Sequence, residues 1–435
     1  MNSNFSSTEA TIRSTLLTAL WFGVLGGLLS ACAVLLFQQL GWLNWDVARY
    51  GVNWQILWVE PFFNTIIFLL VGFFIAVGQL WLPRLRAWHT AIFVFAFLTA
   101  LNWLFVSGRI KQSACVILAL GIAAAFHRSM RPRAERLYAL QARTIPPLLV
   151  GTLLLAGLLF GIAYLREQQQ IAALPPAPPG RPNVVLIVMD TVRADHLSAY
   201  GYSRQTSPFL DRLAKEGVLF ESAVSTSSWT LPSHASLVTG QYVHQHGAES
   251  SRFVPGATTL PLEFQKHGYR TAAISANQAW FTTLHGFGKG FSRFEDFFFS
   301  WRDRFARTVW GRKFQKLVWS RFQEYSLVRR FGEDVTTSAL DWCEKDSGRP
   351  FFLFLNYFDA HPPYLPPRPW RGKFISSAEG PGRIGDAAEV GVRKLSPEEL
   401  AAEIGGYDGG IAYMDEQIRR LVEGLRERGQ LQNTI

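Results

Sequence analysis

The residue best suited to chemistry is Thr230, which stands just before a segment that favours a short helix over Pro232–Thr239. Proline is well accommodated in the first turn of a helix, because its missing N–H would have no partner there. Free backbone N–H groups and the helix dipole at such an end stabilise negative charge. Thr230 is therefore a candidate nucleophile, although its position also suits a threonine that caps a structural helix.

Two other candidates follow predicted strands. The apolar run Asn183–Met189 ends at Asp190, and the run Phe351–Phe358 is followed by His361. A carboxylate at the end of a buried strand needs a partner, and a metal ion is one such partner. His361 is a candidate substrate contact, with a loop histidine beside a turn as the alternative. Because sites in parallel sheets form at the carboxyl ends of strands, both residues are expected at that edge.

The second half of the chain, residues 183–435, alternates predicted strands with predicted helices. Strands are predicted at Asn183–Met189, Val218–Val224, Thr271–Ser275 and Phe351–Phe358, and helices at Pro208–Glu216, Pro232–Thr239 and Glu403–Arg428. This alternation indicates an α/β domain with a mostly parallel sheet and helices on both faces.

The first half, residues 1–166, is predicted to be a helical membrane domain. The 435 residues are 49% hydrophobic overall, and the apolar residues concentrate before Leu165. About 20 apolar residues cross a bilayer as a helix. Five spans are predicted, at Ser14–Gln38, Pro61–Leu82, Trp88–Val106, Ser113–Phe126 and Ile145–Leu165. The fourth is short and also suits a re-entrant or interfacial segment.

Basic residues in the short loops predict the orientation. One side carries Arg84, Arg86, Arg128, Arg131, Arg133, Arg136 and Arg143, and the other carries Arg49, Arg109, Lys111 and Arg166. Because short cytoplasmic loops are enriched in arginine and lysine, the first side is assigned to the cytoplasm. With five spans, the α/β domain is then extracytoplasmic, either periplasmic or extracellular. With four spans it would be cytoplasmic.

Two further segments bear on the membrane. Residues 167–182 form a proline-rich linker, which predicts a semi-rigid extended spacer. Trp301–Arg330 carries nine basic and two acidic residues interleaved with aromatic ones. Such a stretch suits a membrane surface with anionic headgroups, and the alternative is a helical insertion packed on the domain with a solvated basic face. Membrane lipids are expected partners, and nucleic acid is not, because the domain is predicted outside the cytoplasm.

Several motifs of the second half occur in a characteristic order. They are Asn183–Tyr202, Thr206–Ala214, Ser228–Gly240, Phe358–Tyr364 and Tyr407–Asp415. In this order the chain resembles the sulfatase family of the alkaline phosphatase-like superfamily, over nearly all of Arg181–Ile435. The resemblance implies a metal-dependent hydrolase or transferase. It implies that Thr230 is the nucleophile and that Asp190 and Thr230 are metal ligands. It also implies that His234 and His361 are candidate substrate contacts, with a structural role as the alternative for His234.

The departures from the family pattern favour a phosphorus ester over a sulfate ester. The family nucleophile is often a cysteine converted to formylglycine, whose hydrate has a second hydroxyl that expels the sulfuryl group. Thr230 has one hydroxyl, so an ester on it must be broken by water or by an acceptor hydroxyl. Threonine nucleophiles imply, within this superfamily, phosphoethanolamine or phosphoglycerol transferases, which also tend to have several membrane spans.

Other departures concern the metal site. His234 replaces an arginine, Thr191 replaces a second aspartate, and Ser275–Ala279 stands where a Lys-x-His element is expected. This donor set favours Zn²⁺ or Mn²⁺ over Ca²⁺ or Mg²⁺. Gln432–Ile435 resembles the start of a strand that, in the family, leads to an Asp-His-Gly sequence with the remaining ligands. We therefore expect the chain to be truncated, or its metal site to be incomplete if the chain is whole.

Three functional hypotheses follow. The first is a metal-dependent hydrolase or transferase acting on a phosphate ester of a lipid or surface glycan through an ester on Thr230. The second is a sulfate ester hydrolase. The third is an inactive domain that serves as a binding module on a membrane anchor.

Overall fold

The computed structural model describes residues 2–48, 51–81, 87–249, 253, 258–322, 329–345, 348–375, 380–382, 392 and 394–435. The chain forms two compact units. The first comprises Met1–Leu165 and Phe297–Val328, and the second comprises Arg166–Asp296 and Arg329–Ile435.

The first unit is built from long apolar helices. They are α1 (Asn2–Gln39), α2 (Trp45–Ala48), α3 (Ile56–Trp81), α4 (Ala87–Phe105), α5 (Gln112–Met130) and α6 (Ala134–Ala172), with a 3₁₀ turn at Arg131–Arg133. Two glycines of α1 allow its backbone to approach α3 closely. A Cβ on Gly27 would lie 2.3 Å from Pro61 Cα, and one on Gly23 would lie 2.7 Å from Thr65 Cα. Small residues at such crossings are typical of packed membrane helices.

Four stretches are long and apolar enough to cross a membrane: Ile12–Gln39, Ile56–Gln79, Trp88–Phe105 and Gln112–Ala172. The last of these contains both α5 and α6. All five predicted spans coincide with helices, except that Val106 lies just beyond the end of α4. Leu82, Arg49, Arg84 and Arg86 lie outside the described residues. Helix α5 has 19 residues and is therefore about 28 Å long, close to the ~30 Å apolar thickness of a bilayer. Five crossings and the orientation stay predictions.

Two further helices of the first unit come from the basic, aromatic stretch. They are α11 (Trp301–Arg307) and α12 (Val309–Phe322). The Trp301 ring meets Trp58 near the start of α3, with ring centroids 6.1 Å apart. The Trp310 ring meets Phe105 at the end of α4, at 6.4 Å. The predicted alternative, an insertion packed on the α/β domain, is therefore wrong, because these helices pack on the apolar helices.

Buried charges hold this insertion in place. The Glu60 carboxylate of α3 accepts the Val309 N–H at 3.1 Å, where α12 begins. Arg307 is fully buried, donates to Asp303 at 2.9 Å and donates to Gly51 O at 2.6 Å. At least one arginine of the predicted solvated basic face, Arg307, is therefore buried. Residues 323–328 of the predicted stretch lie outside the described residues.

The second unit contains a four-stranded sheet in which every pairing is parallel. Its strands are β1 (Val184–Met189), β2 (Arg270–Ser275), β3 (Arg293–Glu295) and β4 (Phe351–Tyr357), in the order β1-β4-β2-β3. Met189 pairs with Tyr357, and Ser275 pairs with Asn356. The carboxyl ends of β1, β4 and β2 therefore lie side by side. Strands β1, β2 and β4 confirm the prediction, and β3 was not predicted.

Helices cover both faces of this sheet. They are α7 (Pro208–Glu216), α8 (Thr230–Thr239), α9 (Val243–His246), α10 (Leu260–Lys266), α13 (Gly332–Cys343) and α14 (Pro397–Glu427). Alternate residues of β1 belong to different apolar clusters. Val185 and Ile187 join residues of α13 and α14, whereas Leu186 and Val188 join residues of α8. This confirms the predicted α/β fold with two covered faces.

Two predicted elements differ from the structure. Val218–Val224 is not a strand, and its side chains are largely exposed, with Val218 at 79% and Val224 at 90%. Strand propensity reflects packing on a pleated surface, and no described strand pairs with this segment. Helix α14 begins six residues before the predicted Glu403, because Ser396 caps it and exchanges hydrogen bonds with Glu399.

The last residues meet the start of β1. A parallel bridge joins Asn183 to Thr434, and the Ile435 N–H donates to Asn183 O at 2.8 Å. Residues Leu431–Asn433 form a 3₁₀ turn, so only Thr434 and Ile435 of the strand start predicted at Gln432–Ile435 lie extended beside β1.

Candidate functional site

Asp190 begins the turn that follows β1. Its backbone N–H donates to Tyr357 O at 2.9 Å, and its side chain is 7% exposed. The next residue, Thr191, has a φ of 62°, in the left-handed region that β-branched residues rarely adopt. The Thr191 hydroxyl lies 3.0 Å from Ala360 O, and the Tyr407 hydroxyl donates to Thr191 O at 2.8 Å. The loop after β4 and helix α14 thus hold the turn that carries Asp190.

Thr230 is the first residue of α8, two residues before the predicted start of that helix. Its side chain is 9% exposed, and its hydroxyl donates to Asp190 Oδ2 at 3.4 Å. The helix ends as predicted, before Gly240, whose φ of 67° suits glycine. The end of β1 and the start of α8 therefore bring the two predicted metal ligands together.

Two buried asparagines complete this group and were not identified from the sequence. Asn277 follows β2, and Asn356 lies within β4; both are fully buried. Asn277 Nδ2 donates to Asp190 Oδ2 at 2.8 Å and to Thr230 Oγ1 at 3.0 Å. Asn356 Nδ2 donates to Asp190 Oδ2 at 3.3 Å. A polar residue inside an otherwise apolar strand was the available signal for Asn356.

Backbone contacts determine which way these amides point. Asn277 Oδ1 accepts the Trp280 N–H at 3.0 Å, and Asn356 Oδ1 accepts the Asn277 N–H at 2.9 Å. Both amides therefore direct N–H groups, and not carbonyl oxygens, at Asp190 and Thr230. Such an arrangement stabilises negative charge on these oxygens.

His234 lies one turn along α8 from Thr230 and is 4% exposed. Its Nε2 lies 3.1 Å from Asn356 Nδ2, and its Nδ1 lies 2.9 Å from Thr230 O. Because Asn356 Nδ2 is a donor and Thr230 O is an acceptor, the ring carries its proton on Nδ1. Burial lowers the pKa of His234, although the Asp190 charge opposes this, so the ring is neutral. The ring supports Asn356 and through it Asp190.

The fourth predicted residue, His361, stands on the loop after β4, at the same edge of the sheet. Its ring stacks on Phe358 with centroids 4.1 Å apart, and its Nδ1 lies 2.9 Å from Pro362 O. The structure thus links three of the four predicted residues by hydrogen bonds. Their roles in catalysis and binding stay predictions.

Other acidic residues and histidines near the motifs have structural partners. Asp415 accepts the Phe209 and Leu210 N–H groups where α7 begins. Asp408 is fully buried and pairs with His196, Tyr202 and Arg204. Asp195 forms an exposed pair with Arg193, and His246 Nε2 lies 2.9 Å from Ser236 Oγ.

The oxygens of Asp190 and Thr230 have a spacing that suits two ligands of one divalent metal ion. Two oxygen ligands on one ion, each at about 2.1 Å, lie roughly 3.0–3.4 Å apart. Thr230 Oγ1 and Asp190 Oδ2 are 3.4 Å apart, so the pair fits two positions of such an ion. In the described part of the chain, no group of three or more His, Cys, Asp or Glu residues is found that could hold a metal. Metal binding by Asp190 and Thr230 therefore stays a prediction.

Comparison with known proteins agrees with this architecture. Residues 182–435 match the family model for Sulfatase. An arylsulfatase of Clostridium perfringens is 27% identical over 303 residues, which cover 59% of this chain and 61% of the relative. The "multifunctional alkaline phosphatase superfamily protein PehA" of Trinickia caryophylli is 26% identical over 334 residues, with coverage of 59% and 62%. The chain thus spans about six tenths of these relatives.

Solved structures of similar fold include a phosphonate monoester hydrolase of Agrobacterium radiobacter. The two chains align with a TM-score of 0.44 and 21% sequence identity, and the alignment covers 58% of this chain and 61% of the hydrolase. The periplasmic domain of EcEptC from Escherichia coli, in a complex with Zn, has a TM-score of 0.41 at 18% identity, with coverage of 59% and 64%.

Proposed function

Because this chain belongs to the Sulfatase family, we propose that its second unit is a metal-dependent hydrolase or transferase that forms a covalent ester on Thr230. The observation that carries this proposal is the setting of the Thr230 hydroxyl. It is buried at the start of α8, donates towards Asp190 and accepts from Asn277. A bare structural cap would not need a carboxylate and an amide donor on the same oxygen.

The proposed reaction transfers a phosphoryl ester group in two steps. Thr230 Oγ1 attacks phosphorus and loses its proton, the bond from phosphorus to the leaving oxygen breaks, and that oxygen takes a proton from water to leave as an alcohol. The Thr230 hydroxyl lies 3.4 Å from Asp190 Oδ2, and its proton passes to water as the oxygen attacks, because Asp190 is proposed to hold the metal. Water or an acceptor hydroxyl then attacks phosphorus, and the Thr230 hydroxyl is restored. The overall change is hydrolysis or transfer of the group.

The neighbouring amides and histidine stabilise and orient the reacting groups. Asn277 Nδ2 donates to the attacking oxygen at 3.0 Å and so stabilises negative charge there. Neutral His234 orients Asn356, which in turn holds Asp190. A divalent ion held by Asp190 and Thr230 would neutralise charge on the transferring group; Zn²⁺ or Mn²⁺ is proposed ahead of Ca²⁺ or Mg²⁺.

The proposed substrate is a phosphate ester of a lipid or surface glycan. The single hydroxyl of Thr230 favours phosphorus, because it offers no second oxygen to expel a sulfuryl group. The apolar helices of the first unit favour a substrate at a membrane, with the second unit outside the cytoplasm. Sulfate ester hydrolysis is the second candidate, since relatives include proteins named arylsulfatase and N-acetylgalactosamine-6-sulfatase.

The test uses the full chain in detergent, with Zn²⁺ or Mn²⁺ and aryl phosphodiester and aryl sulfate substrates. Thr230→Ala is expected to lower turnover by on the order of 10³-fold or more, and to remove the covalent adduct that mass spectrometry finds after an acid quench. Thr239→Ala is the matched control, because Thr239 lies at the other end of α8, where its hydroxyl donates to Ala235 O and accepts the Gln241 N–H.

Each outcome has a distinct meaning. Turnover that survives Thr230→Ala would refute the nucleophile assignment. Preference for the aryl sulfate would move the assignment to sulfate ester hydrolysis. No turnover and no adduct with any metal would favour the inactive binding module.

A further inference from the structure

The loop ends of α1, α4 and α5 enclose a cavity of about 350 Å³ in the first unit. It is lined by Phe37, Trp42, Trp103, Leu104, Ser107, Arg109 and Ile110. Phe37, Trp103 and Leu104 lie inside stretches apolar enough to cross a membrane, and the other four lie just beyond them. The cavity therefore straddles the level at which these apolar stretches end.

The cavity walls are mainly apolar, and Arg109 is the one charged residue among those that line them. Trp42 and Trp103 are 54% and 50% exposed, and tryptophan is enriched where membrane helices reach the headgroup level. Arg109 Nε donates to Trp42 O at 2.6 Å, and its Nη2 donates to Gly41 O at 3.3 Å. A guanidinium has five N–H groups, so three remain for another acceptor.

The loop that carries Arg109 is itself held in place. Asn44 Nδ2 donates to Gly108 O at 2.7 Å, and the Asn44 N–H donates to Ser107 O at 3.0 Å. A Cβ on Gly108 would lie 2.5 Å from Asn44 Oδ1, so the two loops meet at van der Waals contact. The guanidinium is thus oriented before any ligand arrives, which lowers the entropy lost on binding.

We propose that this cavity binds one membrane phospholipid, with part of an acyl chain against the aromatic wall and the phosphate on Arg109. The occupant is amphipathic because the lining is apolar except for Ser107 and Arg109, which lie just beyond the apolar stretch of α4. Its anionic group is a phosphate diester, which a guanidinium binds by paired, charge-assisted hydrogen bonds. The inference concerns the first unit alone and holds whatever reaction the second unit performs.

The test is native mass spectrometry of the full chain in detergent, titrated with dioleoyl phosphatidylglycerol. One lipid per chain is expected to be retained more tightly than the rest. Arg109→Gln is expected to weaken that site about tenfold, as loss of hydrogen bonds to a charged group predicts. Trp103→Ala is expected to weaken it about fivefold through lost apolar contact. Arg133→Gln, an exposed arginine just after the other end of α5, should leave it unchanged.

Two further titrations show whether the site needs the phosphate, the acyl chains or both. Dioleoylglycerol lacks the phosphate and is expected to bind at least tenfold more weakly, and inorganic phosphate lacks the chains and is expected not to displace the lipid. Equal binding of dioleoylglycerol, displacement by phosphate at matched concentration, or equal effects of Arg109→Gln and Arg133→Gln would each overturn the proposal. Thermal unfolding of each variant shows whether a loss of lipid merely follows a loss of fold.

Discussion

Replacing Asn277 by alanine tests the candidate site most directly. The change removes the Nδ2 donor that lies 2.8 Å from Asp190 and 3.0 Å from Thr230. Removing one such donor from a preorganised site typically lowers kcat by about 10²–10³-fold. The change also removes Oδ1, which accepts the Ala279 and Trp280 N–H groups. The two backbone N–H groups that lose their acceptor cost about 1 kcal/mol each, so the free energy of unfolding should fall by at least roughly 2 kcal/mol.

A second substitution separates the two effects. Asn277→Asp retains an acceptor for Ala279 and Trp280 but turns a carboxylate oxygen towards Asp190, where the amide N–H now lies. We expect it to lose turnover as severely as Asn277→Ala. Turnover of an aryl phosphodiester and thermal unfolding are measured on the full chain in detergent.

The matched control is Asn183→Ala, at the opposite end of β1. Asn183 Oδ1 accepts the Phe351 N–H at 3.1 Å, and its Nδ2 donates to Thr434 at 3.3 Å. Its loss should cost comparable stability and leave turnover within about twofold, since it touches no group of the candidate site. The reasoning is refuted if Asn277→Ala keeps turnover within threefold of the parent, or if Asn183→Ala lowers turnover as much.

Three further predictions concern stability, pH and metal. Gly410→Ala should lower the free energy of unfolding by about 1–3 kcal/mol, because its Cβ would lie 2.6 Å from Asp359 O; chemical denaturation checks this, with Gly372→Ala, which meets no atom within 4 Å, as the control. Burial alone would raise the pKa of Glu295, but Arg330 and Arg293 outweigh it and lower that pKa from 4.5 to about 2. The ionised Glu295 contributes roughly 3 kcal/mol to the free energy of unfolding above pH 4.5, and this contribution is lost as the pH falls towards 2. The difference in unfolding free energy between the parent and Glu295→Gln should therefore shrink over that range. A difference that stays constant would contradict this. Chelation should abolish turnover, and Zn²⁺ or Mn²⁺ should restore it better than Ca²⁺ or Mg²⁺ in a metal-replacement assay.

The sequence predicted the parts of the site that depend on local order along the chain. Asp190 was identifiable because it ends an apolar strand, and Thr230 because it precedes a helix with proline in its first turn. Both features depend on neighbouring residues, and the parallel sheet brings them to one edge. Asn277 and Asn356 were missed because their role depends on contacts between β2, β4 and α8. No spacing within either segment shows which side chain an amide will reach.

The same limit applies to the strand predicted at Val218–Val224 and to the solvated basic face that was one alternative for Trp301–Arg330. Val218–Val224 has the composition of a strand, but a strand also needs a partner, and local composition does not supply one. The stretch from Trp301 has the charge of a surface helix, yet Arg307 is fully buried against Asp303. Arg307 donates to Gly51 O, and the nearby Val309 N–H donates to Glu60; both acceptors lie some 250 residues earlier in the chain. Periodicity within a helix cannot reveal a partner at that distance.

Because α11 and α12 belong to the first unit, cleavage of the proline-rich segment alone does not separate the two units. The chain passes between the two units at three places, after Leu165, after Asp296 and after Val328. A protease that cuts only the proline-rich segment at 174–182 would therefore leave the two units joined through two remaining connections. A recombinant piece beginning at Arg181 would still carry α11 and α12, and the aromatic surface that Trp301 turns to Trp58 would then face water. Replacing residues 297–328 by a short polar loop is the way to obtain a soluble second unit.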